Sequence, residues 1–267
     1  MSAPQQEPRA GEVTARSGRF SLQLRVSGQG IPMIFLHGLG SDSRDSRRDL
    51  GELPGFRVAL PDQRGHGASR PLPEPREFGL DSMVGDLRAM LAALGWPGAV
   101  IAGGSMGAAV ALRHVLTGPG ECPALVLVAP AIGPEPPAAA AQLAAVADRI
   151  DAVGIRQVVA EIRGQSAGEP DGLDGWLRQD SGALAAGMRA VPSWRPFASM
   201  DDLAAITLPV ALVGIRGDPL HPVELAARMH ARLPTSCLEV LGSPGEASRP
   251  GAIGAAVLRA LGRLGVG

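Results

Sequence analysis

A short glycine-rich run holds the residue with the clearest chemical potential, Ser105. Residues 103–107 read Gly-Gly-Ser-Met-Gly, which fits the G-x-S-x-G pattern of serine nucleophiles. With 36 glycines in the chain the pattern alone is weak evidence, but its position is stronger. Ser105 follows an apolar run at 99–102 and opens an amphipathic stretch at 106–116. Such a strand–turn–helix setting lifts a hydroxyl above a sheet edge, where it can attack a carbonyl; a helix N-cap is the structural alternative.

A serine nucleophile needs a base, and the chain offers five histidines. His221 is favoured because it lies three residues after the carboxylate of Asp218. The loop that holds both residues follows an apolar run at 209–213, and ligands in open α/β sheets bind at the carboxyl ends of strands. We therefore predict that both side chains approach Ser105. Bracing of the next helix and capping of a turn are the structural alternatives for the two residues.

Short apolar runs and amphipathic stretches alternate along most of the chain. The runs are typical of strands buried on both faces, and the amphipathic stretches have apolar residues at helical i, i+3, i+4 spacing. This alternation predicts an α/β fold with a mostly parallel central sheet and helices on both faces. The predicted strands are residues 20–26, 32–36, 56–60, 99–102, 124–128, 209–213 and 237–241, and the predicted helices are residues 80–94, 106–116, 223–233 and 250–264.

Residues 133–200 interrupt the alternation. They contain helical patterns but no buried strand, and prolines stand near both ends. We predict a helical cap that is inserted between two parts of one core, residues 19–132 and 201–267. The polar residues 1–18, interrupted by proline and glycine, are predicted to be a flexible segment without a signal peptide.

Three further motifs stand in order with the serine turn, and together they resemble the α/β-hydrolase fold family. The sequence HGLG at residues 37–40 follows a predicted strand where that family places its oxyanion loop. The sequence DQRGHGAS at residues 62–69 follows the next strand and is similar to the family's D-x-R-G-x-G-x-S turn. Asp218 stands at the usual acid position. The resemblance covers residues 20–264 and implies an α/β-hydrolase fold with a helical cap.

The chemistry that this resemblance implies is acyl transfer. Ser105 Oγ would attack a carbonyl carbon, and the backbone N–H groups of Leu39 and Met106 would hold the developing oxyanion. An acid would orient the histidine that removes the serine proton. Neither a metal nor an organic cofactor is implied.

The chain departs from the family pattern at the base. The family's histidine normally lies in a Gly-His pair after the last core strand, where this chain has Gly245 and Glu246. No histidine follows His230. A glutamate side chain in water has a pKa of about 4.3, against about 6.5 for histidine, and is therefore a poor base for a serine hydroxyl. We expect His221 to be a relocated base, with Glu246 as a desolvated alternative base or a substrate contact.

The other four histidines are expected to be structural or peripheral. His37 belongs to the oxyanion-loop motif and is expected to brace that loop, with a role as base as the alternative. His66 lies in a tight turn and is expected to be structural or at the pocket rim. His114 lies too far down its predicted helix to reach the serine and is expected in the core, whereas His230 is expected to be solvated.

Two residues near the end of the predicted cap could contact a substrate. Trp194 is a candidate pocket wall, with a place in the cap core as the alternative. Arg195 could bind a substrate carboxylate, with a surface ion pair as the alternative.

Composition excludes several other kinds of chemistry and partner. All 25 basic residues are arginine, and there is no lysine, asparagine or tyrosine. Lysine Schiff bases, P-loop lysines, tyrosine acids and asparagine-linked glycosylation are therefore excluded. A net charge of −1 gives no reason to expect nucleic acid or a membrane as a partner. Two isolated cysteines, Cys122 and Cys237, indicate reduced thiols and a cytoplasmic location.

These observations favour a hydrolase that cleaves an ester, lactone or related acyl bond of a small molecule. The alternative is an α/β-hydrolase-fold protein that does not hydrolyse acyl bonds, either a ligand-binding pseudoenzyme or a lyase or cyclase. A cofactor-free haloperoxidase-like activity would use the same residues as the hydrolase. A dinucleotide-binding protein is disfavoured, because the Gly-Gln-Gly at residues 28–30 precedes a strand and does not follow one.

Overall fold

A single eight-stranded sheet organises the described residues, which are 11–118, 122–165 and 172–267 of a computed structural model. The strands are β1 (Gly11–Ser17), β2 (Phe20–Gly28), β3 (Ile31–Leu36), β4 (Phe56–Pro61), β5 (Val100–Gly104), β6 (Leu125–Val128), β7 (Val210–Ile215) and β8 (Ser236–Leu241). Their order across the sheet is β1-β2-β4-β3-β5-β6-β7-β8. β2 is antiparallel to both of its neighbours. The six strands after it in this order, β4, β3, β5, β6, β7 and β8, are parallel to one another. The predicted mostly parallel sheet is confirmed.

Helices connect the parallel strands and cover both faces of the sheet. They are α1 (Ser43–Leu50), α2 (Leu80–Leu94), α3 (Met106–Leu116), α4 (Ala140–Val153), α5 (Ile155–Gln165), α6 (Leu173–Trp176), α7 (Ser181–Ala190), α8 (Val223–His230), α9 (Pro244–Ala247) and α10 (Ala252–Arg263). Short 3₁₀ turns lie at Pro75–Glu77, Val191–Ser193 and Met200–Ala205. Within the described ranges, none of the helices is both long and apolar enough to span a membrane.

The central strands alternate between two apolar layers, as a doubly covered sheet requires. Ile34 and Leu36 of β3 face the layer that contains α2, α3 and α8. Met33 and Phe35 of the same strand face the layer that contains α1 and α10. Both layers are apolar. The polar residues of the candidate site lie instead at the carboxyl ends of the strands, where the loops begin.

The prediction that residues 1–18 are flexible is wrong for residues 11–17. They form β1, which pairs with β2 through the full register from Gly11 opposite Val26 to Ser17 opposite Phe20. A tight turn at Gly18, where φ is 55°, returns the chain, and Ala15 is fully buried. The polar alternation in this segment is that of a strand with one solvated face. Residues 1–10 lie outside the described ranges.

Four helices, α4 to α7, lie in the described part of the interval between β6 and β7, where no strand was predicted. Their apolar side chains form a cluster of their own, which includes Ile150, Val158, Leu184 and Met188. Leu39, from the loop after β3, packs against this cluster. The inserted helices therefore contact the end of the sheet at which the candidate site residues lie.

Candidate active site

Ser105 occupies a strained turn between β5 and α3. Its φ of 49° and ψ of −110° lie in a region that non-glycine residues rarely adopt, at a cost of about 1–3 kcal/mol. Its N–H donates to the carbonyl of Val128 at 3.0 Å, which ties the turn to β6. The side chain forms no capping hydrogen bond with α3. The hydroxyl is thus held at the sheet edge without serving as a helix cap.

Two glycines allow α3 to start directly above the sheet. A Cβ added to Gly103 would lie 2.3 Å from the backbone of Gly107, and a Cβ on Gly107 would lie 2.1 Å from the carbonyl oxygen of Leu36. Both positions exclude any side chain without movement of the backbone. The glycines of the motif therefore fix how closely the helix behind Ser105 approaches β3 and β5.

His221 lies directly beside this serine. Its Nε2 is 2.9 Å from Ser105 Oγ, and its Nδ1 is 2.8 Å from Asp218 Oδ2. The carboxylate accepts, so Nδ1 carries the proton and Nε2 is left to accept the serine O–H, a tautomer assigned from this hydrogen-bond pattern. The structure brings together the three residues that the sequence proposed as nucleophile, base and acid.

Asp218 is held by the loop that also carries His221. Its Oδ1 accepts the backbone N–H groups of Leu220 at 2.9 Å and His221 at 3.2 Å, so the carboxylate closes the turn as well as orienting the ring. Burial raises the pKa of Asp218, but the hydrogen bond and charge of His221 and these N–H groups outweigh it, and the net shift is downward. The carboxylate is therefore ionised at neutral pH.

The loop after β3 lies on the other side of the serine. A Cβ on Gly38 would come within 3.4 Å of Ser105 Cβ, so this backbone passes directly over the nucleophile. Leu39 follows in the same loop. Met106 is the first residue of α3, and its N–H has no acceptor within the helix. The two residues whose N–H groups were predicted to hold an oxyanion thus belong to the loop that approaches Ser105 and to the first turn of the helix that follows it.

Two buried histidines brace this loop. His37 Nδ1 donates to the carbonyl of Gly38 at 2.7 Å, and its Nε2 accepts the N–H of Gln63 at 3.0 Å. His66 Nε2 accepts the N–H of Gly40 at 3.1 Å. Burial lowers the pKa of His37; burial, with a smaller contribution from the charge of His37, lowers that of His66 to about 3. Both rings are neutral at physiological pH, and His37 has no free nitrogen with which to serve as base.

Two cavities meet at the Ser105–His221 pair. The first, of about 270 Å³, lies beneath the inserted helices and is called the apolar cavity here. Its apolar walls are Leu39, Ile132, Leu143, Trp176, Met188 and Val191. The second, of about 240 Å³, lies toward α9, is bordered by Asp218 and Ser248, and is called the polar-rimmed cavity. A bound molecule could therefore extend from the serine in two directions.

Three candidates from the sequence lie outside this arrangement. Glu246 is in α9, where its carboxylate accepts the N–H of Gly242 at 2.7 Å. Trp194 is buried in the core beside α2 and donates from Nε1 to the carbonyl of Phe78 at 3.0 Å. Arg195 donates to the carbonyl of Pro192 at 3.1 Å. None of the three lines either cavity.

His114 and His230 lie away from Ser105, one in the core and one on the surface, as the sequence predicted. His114 is buried on α3, and His230 lies on α8, where its Nδ1 is 2.8 Å from Ser236 Oγ. No group of three or more His, Cys, Asp and Glu side chains that could hold a metal ion occurs in the part of the chain that the structure describes.

Sequence reasoning missed Trp176 and the residues that fix it. Arg178, just after α6, forms ion pairs with Asp42 Oδ2 at 2.9 Å and Asp45 Oδ1 at 2.6 Å. Asp42 was detectable as an N-cap before α1, since its Oδ1 accepts the N–H of Arg44. Arg178 and Asp42 are 136 positions apart, and no local sequence pattern connects them. The sequence therefore contains no indication that Trp176 lines the apolar cavity.

Comparison with known proteins assigns the family. A sequence profile described as the alpha/beta hydrolase fold matches residues 31–244. A thermophilic esterase from Thermogutta terrifontis is 23% identical, with a TM-score of 0.78 over 96% of this chain and 99% of that one. A hydrolase from Pseudomonas aeruginosa PA01 is 23% identical, with a TM-score of 0.77 over 95% and 100%.

A curated relative gives a shorter match. The AB hydrolase superfamily protein YisY of Bacillus subtilis is 38% identical over 91 residues, which is 33% of each chain, so the alignment spans about a third of that protein. The solved structures support the fold alone, and the profile spans most of the chain. This protein belongs to the alpha/beta hydrolase fold family.

Proposed function

We propose that this protein is a serine hydrolase that cleaves an ester, lactone or related acyl bond of a small molecule. The observation that carries the proposal is the hydrogen-bonded series from Ser105 Oγ through His221 to Asp218, with distances of 2.9 Å and 2.8 Å. Nucleophile, base and orienting acid stand within the reach that acyl transfer requires. The base arises from the loop after β7, and Glu246 takes no part.

Acylation begins with removal of the serine proton. His221 Nε2 accepts the proton as Ser105 Oγ attacks the carbonyl carbon, and Asp218 stabilises the imidazolium that forms. The N–H groups of Leu39 and Met106 donate to the oxyanion of the tetrahedral intermediate. Collapse of that intermediate transfers the proton from His221 to the leaving oxygen and leaves an acyl group on Ser105.

Deacylation repeats the same steps with water. His221 accepts a proton from a water molecule, the hydroxide attacks the acyl carbon, and the proton returns to Ser105 Oγ as the acid leaves. The polar-rimmed cavity, which also contacts Ser105 and His221, gives the water a route that does not cross the inserted helices. We propose in addition that these helices act as a cap over the apolar cavity.

Similarity to named enzymes is consistent with this proposal. The Thermogutta protein is an esterase, and a protein with a TM-score of 0.73 from Burkholderia xenovorans is an enol-lactonase. The lyase or cyclase alternative depended on Glu246 as base. Because that carboxylate binds the N–H of Gly242 and borders neither cavity, no observation favours it.

Active-site labelling tests the proposal. A fluorophosphonate probe phosphonylates an activated serine, and peptide mapping after the reaction should locate the adduct at Ser105. Ser105→Ala should not react, and His221→Ala should react far more slowly, because the hydroxyl is then no longer deprotonated. A wild-type protein that remains unlabelled at saturating probe, or is labelled at another serine, would contradict the proposal and favour a ligand-binding protein.

A further inference from the structure

We infer that Trp176 sets the size limit of the acyl group and that the substrates are esters of short acids. The inference rests on the proposed function and concerns the apolar cavity. That cavity contains about 270 Å³, which is near the lower end of ligand pockets, about 300–1,000 Å³. Ser105 lies at its base and Leu39 in its wall. The covalently attached acyl group is therefore held next to the oxyanion loop, beneath the inserted helices.

Among the described residues, those of the inserted helices line the apolar cavity and not the polar-rimmed one, which supports this orientation of the substrate. The walls of the apolar cavity that belong to the inserted helices are Leu143, Trp176 and Met188, whereas the charged side chains of Asp45, Arg48 and Asp49 line it from the core side. The polar-rimmed cavity is bordered by Asp218 and Ser248 and also contacts His221, which must protonate the leaving oxygen. The alcohol and the incoming water are thus assigned to the polar-rimmed cavity and the acyl chain to the apolar one.

The indole of Trp176 packs directly on the oxyanion loop. A Cβ on Gly40 would lie 2.5 Å from Trp176 Cδ1 and 2.6 Å from its Nε1. Gly40 has a φ of 78°, which a residue with a side chain rarely adopts, and its N–H is held by His66. The loop and the ring are therefore in direct contact, and Trp176 limits the cavity on the side next to Leu39.

The residues that follow Trp176 form ion pairs and a hydrogen bond with the core. Arg178, two residues after Trp176, pairs with Asp42 and Asp45 of the loop and helix beyond β3. Gln179 Oε1 accepts the N–H of Gly67 at 2.9 Å. Burial raises the pKa of Asp42, but the hydrogen bonds from Arg178 and the backbone lower it further than burial raises it, so the pair is charged at neutral pH. The segment that carries Trp176 is thus tied to the core by ion pairs and by a hydrogen bond to the backbone of Gly67.

Acyl chain length tests the inference. The measurement is kcat/KM for p-nitrophenyl acetate, butyrate, hexanoate, octanoate and decanoate. For the wild type we expect kcat/KM to fall by at least about tenfold between butyrate and octanoate, since one surplus methylene in a closed pocket costs about tenfold or more. Trp176→Ala should raise the octanoate-to-butyrate ratio by at least about tenfold, because removal of the indole extends the cavity.

Two further variants keep the test decisive. Trp176→Leu retains an apolar side chain with less volume and should shift the ratio in the same direction by a smaller factor. Leu177→Ala is the matched control, since Leu177 packs within the inserted helices and does not line the cavity. It should leave the ratio unchanged, with thermal unfolding used to show that all variants are folded.

The outcomes separate this inference from the proposed function. An unchanged ratio in both Trp176 variants, or an equal change in Leu177→Ala, would overturn the role of Trp176 while wild-type hydrolysis and Ser105 labelling leave the hydrolase intact. A wild type that neither hydrolyses any of the esters nor reacts with the fluorophosphonate would overturn both. A wild type with equal kcat/KM for butyrate and decanoate would overturn only the size limit.

Discussion

Histidine serves opposite purposes at two places on the same sheet edge. His221 lies in the loop after β7, with its side chain 20% exposed, one nitrogen on Asp218 and the other facing Ser105. His37 and His66 lie beneath the loop after β3, each 1% exposed, with their rings 4.9 Å apart. Their nitrogens are occupied by backbone groups. His221 thus keeps one ring nitrogen facing Ser105, whereas burial lowers the pKa of His37 and His66 and keeps both of those rings neutral.

The difference shows that burial alone does not make a histidine catalytic. A base must take up a proton during the reaction, so its charged form needs a partner, which Asp218 provides. The buried pair has no carboxylate in hydrogen-bond contact in the described part of the chain, and burial penalises its charged form. Neutral rings suit a bracing role, because they accept hydrogen bonds from backbone N–H groups and add no charge beneath the loop after β3.

Loss of the proposed base should have the largest effect. His221→Ala should lower kcat for p-nitrophenyl acetate by about 10⁴–10⁶-fold, the scale of removing the base from a serine triad. Glu246→Gln is the control: its amide oxygen can still accept the N–H of Gly242, and we expect kcat within about twofold of wild type. Equal losses in the two variants, or activity retained by His221→Ala, would contradict the relocated base.

Loss of the carboxylate next to His221 should have the second largest effect. Asp218→Asn should lower kcat by up to about 10⁴-fold, because an amide in place of the carboxylate allows the wrong tautomer of the ring. The pKa of Asp218 is lowered in the folded state, so its contribution to stability is present above the unfolded value of about 3.9 and is lost as pH falls through the folded value.

Chemical denaturation across this pH range checks the assignment. The difference in the free energy of unfolding between wild type and Asp218→Asn should be greatest at neutral pH and should shrink in acid. A difference that is constant from neutral pH to below about pH 4 would show that the carboxylate does not gain its charge-dependent partners on folding.

The bracing histidines should affect acid stability more than rate. The pKa of His66 is about 3 in the folded protein, against about 6.5 in the unfolded chain, so between these values the unfolded chain binds more protons. Stability therefore falls as pH is lowered from about 6.5 toward 3. His66→Gln keeps an acceptor for the N–H of Gly40 but does not titrate, so its free energy of unfolding should fall less steeply with acid. Identical acid dependence in wild type and variant would refute this account.

The parts of the fold with strong local patterns were predictable from the sequence. The bounds of α2 and α3 agree with their predicted residues, since apolar spacing and small turn residues mark both ends. β1 was missed because its single buried residue, Ala15, gives little apolar signal. α1 was missed because only Leu50 of its eight residues is apolar. Both elements depend on partners elsewhere in the chain for their stability, and a local pattern does not contain those partners.

The site was predictable where its geometry is local. Ser105 could be recognised because strand, glycines and helix are adjacent in sequence, and His221 because the acid precedes it by three residues. The walls of the apolar cavity were not recognisable: Trp194 was chosen, whereas Trp176 lines the cavity. Which tryptophan faces the serine depends on how α6 packs against the loop after β3, and that contact joins distant residues.

The single turn that holds Asp218 and His221 has a consequence for robustness. Their separation is set by hydrogen bonds that the Asp218 carboxylate accepts from two backbone N–H groups and from the ring, all within four consecutive residues. It does not depend on the alignment of two secondary-structure elements. Shifts of β8 or α9 would leave the hydrogen bond between Asp218 and His221 in place. Substitutions or changes in length near residues 242–249 should therefore reduce activity less in this protein than in a hydrolase whose base histidine lies in the corresponding segment.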